Sequence, residues 1–329
     1  MLKEKFGNKT KIIGIGSALI DILAFENDDF LNSISDIKGG MTLVENEFTE
    51  AALSKLSQKP TTVPGGAACN TIIGIGQLGG NAGFVGKCGD DELGTFFEKD
   101  LLSNNVAPML FKSDTATGRV LSLITPDAQR SMFTCLGASA EMQASEVDED
   151  CFTDAAIVVI EGYLLFNTDL MMAALKAARK AGALIAMDLA SFTVVEESKD
   201  FLISDVMGYI DILIANEDEA QAFTGFTDED QAIKALAENA EIAVLKVGER
   251  GSYISYKGNV TKIEPVKGGN AIDTTGAGDL WAAGFLHGII SGFGVDKSGQ
   301  IASACGFEVC QVTGANIPEE GWDRIKKLL

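Results

Sequence analysis

Between residues 155 and 247 short apolar runs recur at near-regular intervals, with stretches of helical spacing between them. The runs are Ala155 to Glu161, Leu184 to Asp188, Ile210 to Ala215 and Ile242 to Val247. Helices are expected at Thr168 to Ala181, around Ser198 to Gly208, at Glu217 to Phe223 and at Asp228 to Asn239. Short strands without polar alternation are buried on both faces, and strands joined through helices lie parallel with right-handed crossovers. An α/β domain with a mostly parallel sheet and helices on both sides follows. In such sheets ligands gather at the carboxyl ends of the strands.

The first half is less regular. Lys11 to Gly16 reads as an opening buried strand, and Ser17 to Leu23 continues as alternating sequence interrupted by Asp21, which serves a ligand at the strand's end or is a solvated edge acid. Asp28 to Glu50 is polar and weakly periodic, an excursion from the main sheet. Thr62 to Asn70 passes through Gly65 and Gly66 into a helix carrying Asn70, which is either a ligand-touching turn or a plain strand-to-helix turn. Gly74 to Gly79 matches the dinucleotide fingerprint as a string but lies inside or at the end of that helix, so the nicotinamide reading is set aside. Gly118 to Thr125 and Ser131 to Leu136, separated by Pro126 to Arg130, carry a hairpin signal that fits a lid. Arg130 at its base faces a ligand or is a solvated turn residue. Ser252 to Tyr256 and Asn259 to Glu264 read as an antiparallel pair.

The chain is 46% hydrophobic over 329 residues, enough for one large core. Its formal net charge of -21 opposes binding to nucleic acid or to an anionic membrane, and an anionic ligand then needs N–H donors, a few cations and a metal. Six scattered cysteines suggest reduced thiols. Met1 to Thr10 is charged and no long apolar run follows, so no leader or membrane span is expected and the location expected is cytoplasmic. The one histidine, His287, lies in an apolar run, which disfavours histidine triads and zinc sites.

The stretch Asp273-Thr274-Thr275-Gly276-Ala277-Gly278-Asp279 precedes an apolar helix reaching Ile290. Its glycines sit at a helix N-terminus, where unpaired N–H groups and the macrodipole attract anions. A carboxylate repels such an anion, so Asp279 is either a favourable first-turn acid or a base for a hydroxyl beside a phosphoryl group.

In order along the chain stand the glycine pair with Asn70, Asn216-x-x-Glu219, Lys246-x-Gly248-x-x-Gly251 and Asp273 to Asp279. Together they resemble the ribokinase-like (PfkB) carbohydrate kinase family over nearly the whole chain. The resemblance implies a single domain, 1–329, with a three-layer Rossmann-like core and a small β-sheet lid formed from about 17–50 and 109–137. It implies ATP and Mg2+ as cofactors, and a base at Asp279 with an anion hole from the amides of Gly276, Ala277 and Gly278. Asn216 and Glu219 match the motif that organises Mg2+ and phosphates, Lys246, Gly248 and Gly251 match the nucleotide loop, and Asp273 and Thr275 match ligands of a monovalent cation, usually K+. Family members occur as monomers or homodimers.

For the acceptor, Asp21, Gly65, Gly66 and Asn70 match positions that grip sugar hydroxyls. Gly16 to Asp21 is similar to the version in adenosine kinases, with Ser17 where an Asn is usual. Phe192 matches an aromatic that stacks on the purine, the alternative being a core phenylalanine, and Arg130 matches a residue closing over the phosphate. The expectation is an ATP-dependent kinase acting on the 5′-hydroxyl of a ribonucleoside, adenosine first. A sugar kinase of the ribose or fructose type and a non-catalytic sugar-binding regulator are the alternatives.

Overall fold

The computed structural model describes residues 3–329 except 37, 128 and 270, and of residues 3 and 4 the backbone only. Its strands are β1 (Lys11–Ile15), β2 (Leu19–Phe25), β3 (Gly40–Leu43), β4 (Thr61–Gly65), β5 (Asn81–Gly89), β6 (Val106–Ser113) and β7 (Gly118–Ile124). There follow β8 (Arg130–Cys135), β9 (Ala155–Glu161), β10 (Leu184–Asp188), β11 (Ile212–Asn216), β12 (Ile242–Lys246), β13 (Ser252–Tyr256) and β14 (Asn259–Ile263). Nine of them form one sheet in the order β14-β13-β12-β11-β10-β9-β1-β5-β6, and β3-β8-β7-β2-β4 form a second. In the large sheet only the β12-β13 and β13-β14 pairings are antiparallel.

Alternation along the central strands divides their side chains between two cores. Ile212 and Ile214, with Ile242 and Val244, join the helices α3 (Ala67–Gln77), α5 (Ala277–Ile290) and α6 (Val295–Val309) on one face. Leu213 and Ala215, with Ala243 and Leu245, join Leu170, Met171 and Leu175 of the helix Thr168–Lys180 on the other. Strands covered on both faces lose their polar alternation, which is why they read as continuous apolar runs. The α/β three-layer core with a small accessory sheet stands as expected.

The small sheet is drawn from more of the chain than its sequence suggested. β4 supplies its edge beside β2, whereas residues 106–113 pair with β5 in the large sheet, so the second segment of the lid begins near 118 rather than 109. The polar excursion after β2 holds two short helices, α1 (Asp28–Ile34) and α2 (Asn46–Leu53). They cover the small sheet's outer face: Phe48 packs on Phe133 with ring centroids 5.1 Å apart, and Arg119 lies 2.7 Å from Glu50. Asp21 is the third residue of β2, not the end of the opening strand. The chain leaves the large sheet at Gly16, where an added Cβ would stand 2.3 Å from a Glu161 carboxylate oxygen.

The fingerprint-like Gly74 to Gly79 lies within α3 and just past its end, so no helix N-terminus follows it. The region expected as one helix from Ser198 to Gly208 is a succession of short helical turns from Phe192 to Tyr209. Among the described residues no helix is long and apolar enough to cross a membrane, all six cysteines are unpaired and His287 is buried.

α5 and α6 approach through small residues. A Cβ on Gly284 would lie 2.8 Å from Cα and 2.9 Å from N of Ala302, backbone atoms that cannot swing aside. Gly284→Val should therefore destabilise the fold by about 1–3 kcal/mol, the usual cost of overpacking. Denaturant titration against the native chain measures it, and an unchanged midpoint would show that the two helices separate freely.

Candidate active site

The carboxyl ends of the parallel strands place polar residues in a row. Glu161 of β9 is the register partner of Asp188 of β10, and Asn216 of β11 is the partner of Lys246 of β12. These four side chains, with Gly276 to Asp279 at the start of α5 and the inner face of the small sheet, line one cavity of about 1130 Å³. Six carboxylates and two cations, Arg130 and Lys246, stand on its wall among the described residues.

α5 begins at Gly276, whose φ of 72° is a left-handed conformation that glycine adopts without strain. A side chain there would also strike Ala315, its Cβ falling 2.6 Å from that of the alanine. The amides of Gly276 and Gly278 have no partner among the described residues. The Ala277 amide, expected in the anion hole, instead donates to the Thr274 carbonyl at 3.1 Å, because the turn entering the helix closes on itself there. Two of the three expected donors are free.

Asp279 is the third helical residue, in the first turn and without freedom to turn away. Its carboxylate accepts from Asn70 Nδ2 at 2.9 Å and its carbonyl from Thr71 Oγ1 at 3.1 Å, which ties α5 to α3. Burial pushes its carboxyl up to about 7, helped by the charges of Asp188 and Glu161 and opposed by Asn70 and Lys246. Asn70, expected to hold a substrate hydroxyl, thus commits one of its two amide N–H donors to Asp279.

Asn216 and Glu219 form a reciprocal cap on the helix α4 (Glu217–Thr224). Asn216 Oδ1 accepts from the Glu219 amide at 2.9 Å, and Glu219 Oε2 accepts from the Asn216 amide at 2.8 Å. Burial lifts the Glu219 carboxyl to about 7, Asp188 adding to the rise and Lys246 opposing it. Lys246 donates to Asp188 at 2.7 Å; burial disfavours its charge, but Asp188 and Glu219 outweigh that and hold the ammonium above its usual value.

On the small-sheet side, burial raises Asp21 to about 6 despite the nearby Arg130 guanidinium. Arg130 donates to Ser122 Oγ at 3.0 Å and lies 3.9 Å from Asp273. The Asp273 carboxylate accepts from the Thr275 amide and hydroxyl at 2.9 and 2.7 Å and from the Gly314 amide at 2.8 Å. Burial works against its ionisation, but these donors prevail and hold it below the ordinary range. Elsewhere the wall is mixed: Leu19, Met41, Leu43, Val120, Met132, Leu136 and Phe166 alternate with Thr134, Ser139, Asn167 and Thr168.

Several expected residues lie elsewhere. Gly65, Gly248 and Gly251 are not on the cavity wall, though Gly66 is. Gly248 and Gly251, with φ of 55° and 96°, turn the chain from β12 into β13. Phe192 is neither on the cavity wall nor in the core but 49% exposed; Ala190, between it and Asp188, is in the left-handed region at φ 65°. Glu161 to Leu165 is similar to adenosine kinases in sequence but no role is expected of Glu161, which is buried and accepts from the Ser17 amide and hydroxyl at 2.8 and 2.9 Å and the Ala68 amide at 3.2 Å. Asp188, which opens the similar stretch to Phe192, is likewise given no role by the sequence. Both are acids closing an apolar strand, a signal that could have marked them.

The pfkB family carbohydrate kinase model matches residues 31–321. The chain belongs to that family. It is therefore a phosphotransferase with an alcohol group as acceptor, of a family that uses ATP, typically with Mg2+. The solved structure of adenosine kinase from Sinorhizobium meliloti superposes with a TM-score of 0.88 at 30% identity, covering 98% of this chain and 100% of that one. A probable sugar kinase from Rhizobium etli CFN 42 gives 0.88 at 29%, covering 98% and 99%. Among curated relatives, the fructokinase of Escherichia coli is 29% identical over 77% of this chain and 87% of its own, and the nucleoside kinase of Methanocaldococcus jannaschii 27% over 80% and 85%.

The burial of Asp279 has a pH signature. Its proton is kept to about 7 in the folded chain, against 3.8 for an ordinary aspartate, so the stability this gives is complete below about pH 4 and is lost as pH rises to about 7. Asp279→Asn is neutral throughout, so its stability relative to the native chain should climb by up to about 1.4 kcal/mol per pH unit across that window. Melting curves at a series of pH values measure the difference, and a flat one would contradict a raised Asp279.

Proposed function

We propose that this kinase phosphorylates the 5′-hydroxyl of a ribonucleoside, adenosine first, and that Asp279 is its base. The observation that carries the reading is the apolar stretch of the small sheet opposite the strand ends, where Met41, Leu43 and Met132 line the cavity. A nucleobase has flat apolar faces to set against such a wall, whereas a free sugar carries hydroxyls that would be desolvated there without partners. Asp21, on the same sheet, is suited to accept from ribose hydroxyls.

In this reading the substrate's alcohol loses its proton to Asp279 as its oxygen bonds to the γ-phosphorus of ATP, and the bond from that phosphorus to the ADP oxygen breaks. The free amides of Gly276 and Gly278 face the charge that gathers on the phosphoryl oxygens, and Arg130 closes over it from the small sheet. The oxygens of Asn216 and Glu219 already accept hydrogen bonds within their cap, so the pair would hold Mg2+ through the water the ion keeps, and the ion would neutralise phosphate charge. K+ is a poorer fit, since the Asp273 carboxylate is taken up by three hydrogen bonds and faces Arg130. No step is assigned to K+.

A second reading, a fructokinase-type enzyme, draws on the sequence likeness to the E. coli fructokinase and shares every reacting group. Thermal shift with a panel of nucleosides and sugars separates the two: adenosine should raise the melting temperature and fructose should not. The opposite pattern removes the nucleoside reading. Asp279→Asn should slow turnover by about 100-fold to 10,000-fold while retaining nucleoside binding. Native turnover should rise about tenfold per pH unit up to about 7, because the free base is protonated below that value. Near-normal turnover of the variant would dismiss Asp279 as the base.

A further inference from the structure

The anion hole of this chain is short of one donor, since the Ala277 amide is directed to Thr274. Beside the gap stands Lys246. A Cβ on Gly278 would meet its Nζ at 2.9 Å, so the ammonium rests against the residue that carries one of the free amides. Its hydrogen-bond partner is Asp188, at 2.7 Å, and both side chains lie on the cavity wall with only modest exposure.

We propose that Lys246 is a catalytic cation that reaches from Asp188 to the phosphoryl group in flight, supplying the donor that the glycine turn lacks. The inference rests on the kinase reading above. Lysine is a point charge on a flexible stem with three donors, so one N–H can stay on Asp188 while another follows the moving oxygens. Of the two cations on the wall it is the one at the turn, because Arg130 reaches in from the small sheet, between Ser122 and Asp273. Its neighbours Asp188, Glu219 and Asp279 are all acids, so an arriving polyphosphate needs this charge more than a neutral site would. Asp188 acts as a positioning residue, holding the ammonium at the turn before the nucleotide binds.

The test must tell a charge that acts on the phosphoryl group from one that only neutralises Asp188. Lys246→Met leaves Asp188 buried alone, whereas Lys246→Met with Asp188→Asn removes both charges and the penalty together. Turnover, adenosine affinity by calorimetry and affinity for a non-hydrolysable ATP analogue are measured for native chain and both variants. Expected is a fall in kcat of about 100-fold to 1000-fold in each variant, the scale of a lost anion-hole donor, with adenosine affinity kept. The double variant should be no faster than the single one, and the analogue should bind both more weakly than the native chain. Recovery of the double variant to within about tenfold of native kcat would assign Lys246 a structural role and overturn the proposal. Native chain without turnover on any nucleoside or sugar removes the acceptor reading instead, a result distinct from an unimpaired double variant.

Discussion

Everything near the cavity depends on holding negative charge where it is least welcome. Six carboxylates share one wall with two cations, and Asp279 sits in the first turn of a helix whose amides face the space an anion would occupy. Burial keeps the protons of Asp279 and Glu219 to about 7, so near neutrality the cavity wall carries less charge than its composition suggests. That is a physical route by which a chain with net charge of -21 can admit a polyphosphate. The scaffold that makes this possible is rigid. α5 is apolar on all sides and packed on α3 and α6 through glycines, and Thr71 and Asn70 pin its first turn.

The small sheet has two faces with different duties. Outward, α1 and α2 cover it, with Phe48 against Phe133. Inward, its apolar residues look across the cavity at a row of charged groups. Met41 and Leu43, on the edge strand β3, are 46% and 60% exposed. A ligand with an apolar face would bury this surface and a polar one would not, so the sheet discriminates by what it fails to hydrate.

The large sheet was legible because strands covered on both sides must be apolar throughout, and β9 to β12 obey that requirement. The glycine turn was legible because a helix can begin at such a triplet only with its amides exposed. Less could be read where one residue's role is set by another far away in the chain. Asn70 is matched to a sugar hydroxyl by its position, yet its amide meets Asp279, 209 residues on. Glu161 and Asp188 stand in stretches similar to adenosine kinases, but only register shows that they are neighbours. The exposure of Phe192 goes with a local conformation, the positive φ of Ala190, that no periodicity signals. The place of β4 in the small sheet was not legible because it depends on pairing with β2, a contact outside the reach of sequence spacing.

The reciprocal cap at Asn216 and Glu219 joins two functions in one pair of side chains: it starts α4, and it forms part of the cavity wall. A substitution at either position therefore alters helix nucleation and ligand chemistry in the same stroke. Evolution cannot adjust the one while sparing the other, so drift here is confined to changes that satisfy a folding requirement and a binding requirement at once. Neighbouring wall positions such as Met41 or Leu43 bear no such double duty, and it is there that new acceptor preferences have room to arise.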